Sequence, residues 1–128
     1  MQYAKSALNE YKTVQIDAAV LAASPHELIA KLLAKAIDSV EEAKEHIKND
    51  DIVAKSQCIK IATSIIADGL RNCLNMEAGG EVAANLDALY DYMLRALIKA
   101  HAQNDTAILD EVTKLLREIK MGWDGIKP

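Results

Sequence analysis

The stretch EAGGEVAANLDALYDYM, from Glu77 to Met93, decides the fold because it sets a Gly-Gly break directly before an amphipathic helix. From Val82 onward, apolar residues recur every three or four positions, which is the period of an α-helix. Leu94 and Ile98 continue this stripe round the back of the helix, and Tyr92 extends it on the other shoulder. The apolar arc spans roughly 240° at 100° per residue, against the ~100–140° that a surface helix needs. This helix therefore has two partners in its own fold or one partner elsewhere.

Capping signals place the first long helix before this stretch. Ser24 is its N-cap, Pro25 occupies the first helical position and Glu27 stands three residues after the cap, as in a capping box. Asn49-Asp50-Asp51 ends this helix and caps the next.

The remaining helices follow the same pattern of caps and 3.6-residue periodicity. The second runs from about Asp51 to Asn75 and the third from about Val82 to His101; Asn104-Asp105-Thr106 then caps a fourth, which ends near Gly122 with Trp123 beside its apolar stripe. Short connections make sequential helices antiparallel. We predict an all-α, antiparallel up-and-down four-helix bundle over residues 24–128 as a single domain, preceded by an N-terminal arm or short helix, residues 1–23.

Composition excludes several classes of protein. A chain of 128 residues with net charge −4 lacks the basic face that nucleic-acid binding needs. No apolar run approaches the ~20 residues of a membrane span, and the N-terminus has no apolar segment typical of a secretory signal. Cys58 and Cys73 form no disulfide framework. We expect a cytoplasmic protein that binds neither nucleic acid nor membrane.

Motifs for chemistry are missing from the chain. His26, His46 and His101 follow Ala23, Ala43 and Ile98 by three positions, so no Glu-x-x-His pair of a di-metal bundle occurs. Zinc motifs and glycine-rich phosphate loops are also absent from the sequence. We expect no metal, no cofactor and no enzymatic activity.

Surplus apolar surface is the remaining functional signal. The second helix carries an extra stripe and the third helix extra positions, namely Cys58, Ile61, Ile65, Leu94, Ile98 and Tyr92. Central burial or cover by the arm explains them as structural; a groove that receives an amphipathic helix of a partner explains them as functional. A third possibility is an oligomerisation or regulatory module that buries these faces against a second copy.

Five stretches carry a resemblance to a known family. They are ASPHELI at 23–29, IIADGL at 65–70, GGEVAANL at 79–86, LYDYM at 89–93 and the final Trp123. In this order and spacing they make the chain resemble the flagellin export chaperones, the FliS family, over nearly its whole length. Leu33-Ala34-Lys35 departs from the family, which usually carries an aromatic, an acidic residue and a glycine there. This difference bears on packing against the arm or on the choice of partner.

The resemblance implies a cytoplasmic, non-enzymatic chaperone. Such proteins bind the disordered C-terminal region of flagellin, prevent premature polymerisation and deliver flagellin to the flagellar type III export apparatus. Whether an export gate component or an anti-sigma factor also binds stays open, and a monomer or weak homodimer is expected.

The two arguments together give a predicted binding site. The arm covers part of the groove in the free protein through Tyr11, Val14 and Ile16. Flagellin displaces it and lays apolar anchors on the second and third helices, while two residues contact its backbone or polar rim. The predicted anchor contacts are Ile61, Ile65, Leu94 and Ile98, and the predicted rim contacts are Asn85 and Tyr92; Cys58, on the same stripe as Ile61, is also predicted to bind the partner.

Overall fold

The computed structural model describes residues 24–126, which form four α-helices and contain no strand. The helices are α1 (Pro25–Lys48), α2 (Ile52–Ser64), α3 (Met76–Gln103) and α4 (Thr106–Asp124). A π-helical turn, Ile65–Leu70, and a 3₁₀ turn, Arg71–Cys73, prolong α2 up to the loop before α3. The prediction of an all-α four-helix bundle is confirmed. The predicted arm, residues 1–23, lies outside the described residues.

Side-chain caps fix the beginning of every helix. Ser24 Oγ accepts the backbone N–H of Glu27 at 3.2 Å, which satisfies one of the free donors of the first turn. Asp51 and Asp105 cap α2 and α4 with their carboxylates, and Asn75 caps α3 with its amide oxygen. The predicted caps of α1, α2 and α4 are therefore confirmed.

Left-handed residues make the two tight connections at the end of the bundle opposite Ser24. Asp50 has a φ of 55° and Asn104 a φ of 53°, a region that Asp and Asn tolerate better than most residues. Each reverses the chain directly before a cap. The helices run antiparallel as a result, and Lys44 near the end of α1 meets Asp110 near the start of α4 at 2.7 Å.

Within the described bundle, α1 and α3 lie diagonally across from each other rather than side by side. α1 packs along much of its length against both α2 and α4, whereas α3 packs mainly against α4 and the π-helical turn. Contact between α2 and α3 is less extensive. The buried side chains form one core. Its largest fully buried apolar members are Leu32, Leu33, Val40, Ile65, Ile66, Met93, Leu97, Leu109, Val112 and Leu116.

The second helical element changes pitch at Ile65, where the sequence predicts a continuous α-helix to Asn75. The wider π-helical turn buries Ile65, Ile66, Gly69 and Leu70 together. The tighter 3₁₀ turn then aims Arg71 at α3, where its Nε donates to Asp87 at 2.7 Å. Amphipathic periodicity did not reveal this change, because Ile65, Ile66 and Leu70 suit an apolar face at either pitch.

A buried lysine joins the start of α2 to the end of α3. Lys55 is only 5% exposed, and its Nζ donates to the carbonyl oxygen of His101 at 3.2 Å and to Asn104 Oδ1 at 2.6 Å. A cation is favourable at this place because the last carbonyls of a helix carry partial negative charge. The pair of bonds secures the α3–α4 connection against α2.

We predict that Lys55→Met lowers the free energy of unfolding by about 2 kcal/mol, because two acceptors lose a charged donor in a largely dry place. Urea denaturation followed by circular dichroism measures the change. Lys60→Met is the matched control: Lys60 is exposed on the same helix, so its replacement should alter stability by less than about 0.5 kcal/mol. Equal effects of the two substitutions would contradict this role for Lys55.

Candidate functional site

An apolar cleft of about 280 Å³ opens at the end of the bundle where α1 and α3 begin and α4 ends. We call it the pole cleft. It is lined by residues from all four helical elements: Ile29, Leu33, Leu70, Cys73, Leu74, Asn75, Gly79, Val82, Ala83, Leu86, Tyr90, Ile119 and Trp123. A cavity of this size and character suits one or two apolar side chains of a ligand.

The α3 wall of the cleft is shaped by the Gly-Gly break. Gly80 has φ 54° and ψ −130°, so it interrupts the helix that begins at Met76. Gly79 approaches the next turn so closely that a Cβ there would lie 2.6 Å from the Cβ of Ala83. The break predicted from the sequence is thus present as a kink, and one capped turn precedes it. Beyond the kink, Val82 stands at the rim with 69% of its surface exposed.

The α4 wall is formed by Trp123, which is clamped to His26 on α1. Trp123 Nε1 donates to the carbonyl oxygen of His26 at 2.9 Å. His26 Nε2 donates back to the carbonyl oxygen of Trp123 at 3.1 Å, since a carbonyl can only accept. The two rings stack with centroids 4.8 Å apart and planes 15° from parallel. The clamp joins positions 97 residues apart in the chain.

The ionisable groups in the cleft wall stay neutral. Burial raises the pKa of Tyr90 to about 12, and burial also raises the pKa of the Cys73 thiol. A phenol and a thiol rather than their anions therefore face the cleft at neutral pH. The cleft offers an apolar surface, with nothing ionised at its base.

The described residues contain neither a cluster of metal ligands nor a membrane-spanning helix. Between residues 24 and 126, no group of three or more His, Cys, Asp and Glu side chains is placed to hold a metal ion. No helix in that range is long and apolar enough to cross a membrane.

The predicted stripe on α2 faces α1. Cys58 is buried with its Sγ 3.8 Å from Glu42 Oε2 of α1, and Ile65 is 1% exposed in the core. Burial, followed by the nearby Glu42 carboxylate, raises the pKa of the Cys58 thiol. Ile61 is half-buried against the core. It lies about 120° around the helix from Lys55, which faces α3. Of this stripe only Ile61 keeps surface that a partner could touch.

Leu94 and Ile98 lie on the edge of α3 that faces the end of the second element. They share a strip with Asp87 and Asp91 at spacings of four and seven residues. Arg71 bonds both of these carboxylates, Asp87 at 2.7 Å and Asp91 at 3.3 Å, which fixes the direction of the strip. Leu94 is half-buried against the core, and Ile98 is 67% exposed.

Tyr92 and Asn85 lie on the opposite edge of α3, next to α4. Both are exposed, and they are seven residues apart, so they share one strip. The hydroxyl of Tyr92 donates to the carboxylate of Glu111 on α4. This bond, more than burial, raises the pKa of Tyr92.

The predicted site residues therefore fall into three separate strips. Tyr92 and Ile98 are six positions apart, which puts them about 120° apart around α3. Tyr11, Val14 and Ile16 lie outside the described residues. The sequence prediction located the surplus apolar surface on the second and third elements, but the bundle does not gather its residues into one groove.

The pole cleft is what the sequence interpretation missed. Three signals for it were present: the Gly-Gly break, Trp123 on the stripe of α4, and Leu33 in the triplet that departs from the family. Leu33 is fully buried and lines the cleft. Finding the cleft required knowing that the ends of all four elements meet at this pole.

The comparisons with known proteins cover almost the whole chain. The model of the family described as "Flagellar protein FliS" matches residues 7–128. The chain belongs to the FliS family. It is 44% identical over 124 residues to "Flagellar secretion chaperone FliSB" of Pseudomonas aeruginosa, covering 97% of this chain and 98% of the relative. It is 40% identical over 126 residues to "Flagellar secretion chaperone FliS" of Salmonella typhimurium, covering 98% of this chain and 93% of the relative.

Membership of the FliS family confirms the resemblance seen in the sequence and supports an export chaperone role. The pole cleft and the exposed apolar residues of α3 are accordingly candidate contact surfaces of a FliS-type chaperone.

We predict that Gly79→Ala destabilises the protein, because its methyl group collides with Ala83 and the α3 wall must shift. Gly122→Ala is the matched control on α4: a Cβ there meets no atom within 4 Å, so the gain in helix propensity raises stability by about 0.5–1 kcal/mol. Thermal unfolding of the two variants should shift in opposite directions. A Gly79→Ala protein as stable as the wild type would show that the α3 wall is less tightly packed than described.

Proposed function

We propose that this protein binds the disordered C-terminal region of flagellin in the cytoplasm. Binding prevents premature polymerisation, and the complex delivers flagellin to the flagellar type III export apparatus. The chaperone acts by covering apolar surface and needs no catalytic step, metal or cofactor. A monomer or a weak homodimer suffices for this role.

Exposed apolar residues on α3 carry the proposal. Val82 and Ile98 are each about two-thirds exposed, although they belong to the longest helix of the described bundle. The bundle has no further helix among residues 24–126 to cover them. A partner helix with apolar residues on one face can do so, which is a recurrent mode of peptide recognition.

The separation of the two exposed residues fits a ligand that wraps around α3. Val82 at the pole cleft and Ile98 are 16 positions apart, which corresponds to roughly 24 Å along α3 and about 160° around it. A disordered partner can fold on the bundle in more than one segment and so contact both sides of this helix. We propose Leu94 and Ile98 as anchor contacts, Ile61 as a contact on the α1 side of α2, and Asn85 and Tyr92 as contacts to the backbone or polar rim.

Cys58 and Ile65 have a different part in this proposal. Both are covered in the bundle, so a ligand on the surface described here would not touch them. They lie three and four positions from Ile61, on the same side of the second element.

Coupled folding of the ligand suits an export chaperone. A disordered segment loses conformational entropy when it folds on the bundle, and this loss offsets part of the contact energy, typically by about 2–5 kcal/mol. The complex can therefore cover a large apolar surface and still be taken apart for export.

The N-terminal arm completes the proposed mechanism. We propose that Tyr11, Val14 and Ile16 cover part of the apolar surface in the free protein and are displaced by flagellin. The position of Ser24 supports this: it caps the start of α1 five positions before Ile29, which lines the pole cleft, so the arm is joined to the bundle close to this surface.

We predict that the protein binds a peptide covering the C-terminal region of flagellin with 1:1 stoichiometry, favourable enthalpy and a negative heat-capacity change in titration calorimetry. Ile98→Asp and Val82→Asp should each weaken binding about tenfold, or roughly 1.4 kcal/mol, because a carboxylate loses its water at an apolar contact. Both residues are exposed, so thermal unfolding should stay close to that of the wild type.

Val53→Asp is the matched control. Val53 is 69% exposed, as Val82 is, but it lies in the first turn of α2, at the opposite end of the bundle from the pole cleft and not on α3. It should bind like the wild type. Absence of heat and of comigration with the wild-type protein would refute flagellin binding. Equal weakening by all three substitutions would refute the placement of the site on α3.

A further inference from the structure

We infer that His26 and Trp123 are positioning residues for ligand binding: their clamp holds the last turns of α4 as the fixed wall of the pole cleft, and an apolar anchor of the ligand packs against the indole. This inference deepens the proposed function and rests on it.

The end of α4 needs such a clamp because only half-buried side chains attach it to the bundle. The last fully buried side chain of α4 is Leu116, and the helix continues to Asp124. At 1.5 Å per residue this leaves roughly 12 Å of helix beyond Leu116. Over that length Met121 is exposed and Ile119 is half-buried. Trp123, on the last turn, is therefore the residue that attaches the end of α4 to α1.

The chemistry of the clamp is that of a helix terminus. The carbonyl of Trp123 lies in the last turn of α4, where it accepts the backbone N–H of Ile126 at 3.1 Å and keeps a second lone pair free. His26 supplies an N–H donor to it from the first turn of α1, and the indole N–H returns a bond to the backbone of His26. Because the two bonds run in opposite directions and the rings stack, they fix both the position and the tilt of the indole.

The same indole lines the pole cleft, opposite the wall formed by Val82 and Leu86 of α3. Contact with an apolar side chain of the ligand therefore depends on where the clamp holds Trp123. Loss of the clamp would shift this wall while leaving the core around Leu32 and Met93 untouched. The expected signature is a loss of affinity larger than the loss of stability.

The chain offers a direct probe, because Trp123 is its only tryptophan. In the wild-type, full-length protein, the flagellin C-terminal peptide should shift Trp123 emission to shorter wavelength and protect it from acrylamide. His26→Ala should weaken binding about tenfold or more, as truncation of a residue that supports a central contact does. His26→Gln retains a side-chain N–H donor and should recover part of the affinity.

His46→Ala is the matched control, since His46 lies in the last turn of α1 at the other end of the bundle. It should bind like the wild type. Thermal unfolding of all variants, followed by circular dichroism, separates positioning from general destabilisation: a merely structural role lowers the unfolding temperature of His26→Ala and leaves the peptide affinity at low temperature unchanged.

The outcomes distinguish a failure of the positioning role from a failure of the proposed function. Wild-type binding without any change in Trp123 emission, or His26→Ala binding like the wild type, overturns the positioning role and leaves the chaperone function standing. Failure of the wild type to bind the peptide overturns the proposed function and this inference together. A tenfold loss in His26→Ala, partial recovery in His26→Gln and protection of the indole establish the clamp as part of the binding site.

Discussion

Close packing of α1 against both of its neighbours is the constraint on which the rest of the bundle depends. Small residues at Ala36, Ser39 and Ala43 alternate with larger apolar ones along its buried face. They allow α2 and α4 to approach α1 over much of its length. The buried face of α1 is thereby covered by these two neighbours. The diagonal helix α3 is held mainly by α4 and by the end of the second element, and it keeps exposed apolar side chains at Val82 and Ile98.

Two departures from regular α-helical geometry create the candidate site at one pole. The π-helical turn brings Leu70 inward, and the kink at Gly80 opens α3 next to it. Irregular helical turns are less favourable than a continuous helix and tend to persist where they serve a function. In this bundle they leave the pole cleft between elements that are otherwise well packed. A straight second helix and an unbroken third helix would bring apolar faces together there and fill it.

The sequence was sufficient for the parts of the fold that local chemistry determines. Ser24, Asp51 and Asp105 mark helix starts because each carries an acceptor that only a helix terminus requires, and the 3.6-residue periods between them define the buried faces. The family could also be recognised, because ordered motifs survive along the chain. Which apolar residues share a surface could not be predicted, since this depends on the rotation of each helix about its axis. The strip with Ile61 faces α1, whereas the strip with Ile98 lies on the edge of α3 that faces the end of the second element.

Contacts between residues that are distant in the sequence could not be predicted from local patterns for the same reason. Lys55 falls in a stretch that predicts an ordinary solvated lysine, and its burial follows only from the approach of the α3 terminus. His26 likewise stands in a first helical turn, where histidine is usually exposed. Its partner is 97 positions away, and nothing near either residue specifies the pairing. Contacts between distant elements need the helix rotations first, and those are set by the core as a whole.

The distribution of packing bears on how a chaperone can both hold and release its cargo. The core forms the base of the pole cleft through Leu33, Leu70 and Tyr90, whereas the rim is formed by the end of α4 and the kinked start of α3. A ligand that contacts these walls gains burial free energy of about 25 cal/mol per Å² of apolar area without altering the core. Its removal undoes the same local contacts and requires no unfolding of the bundle. Residues at the rim, such as Val82, can thus contribute to binding while contributing little to fold stability, because most of their surface is exposed in the free bundle.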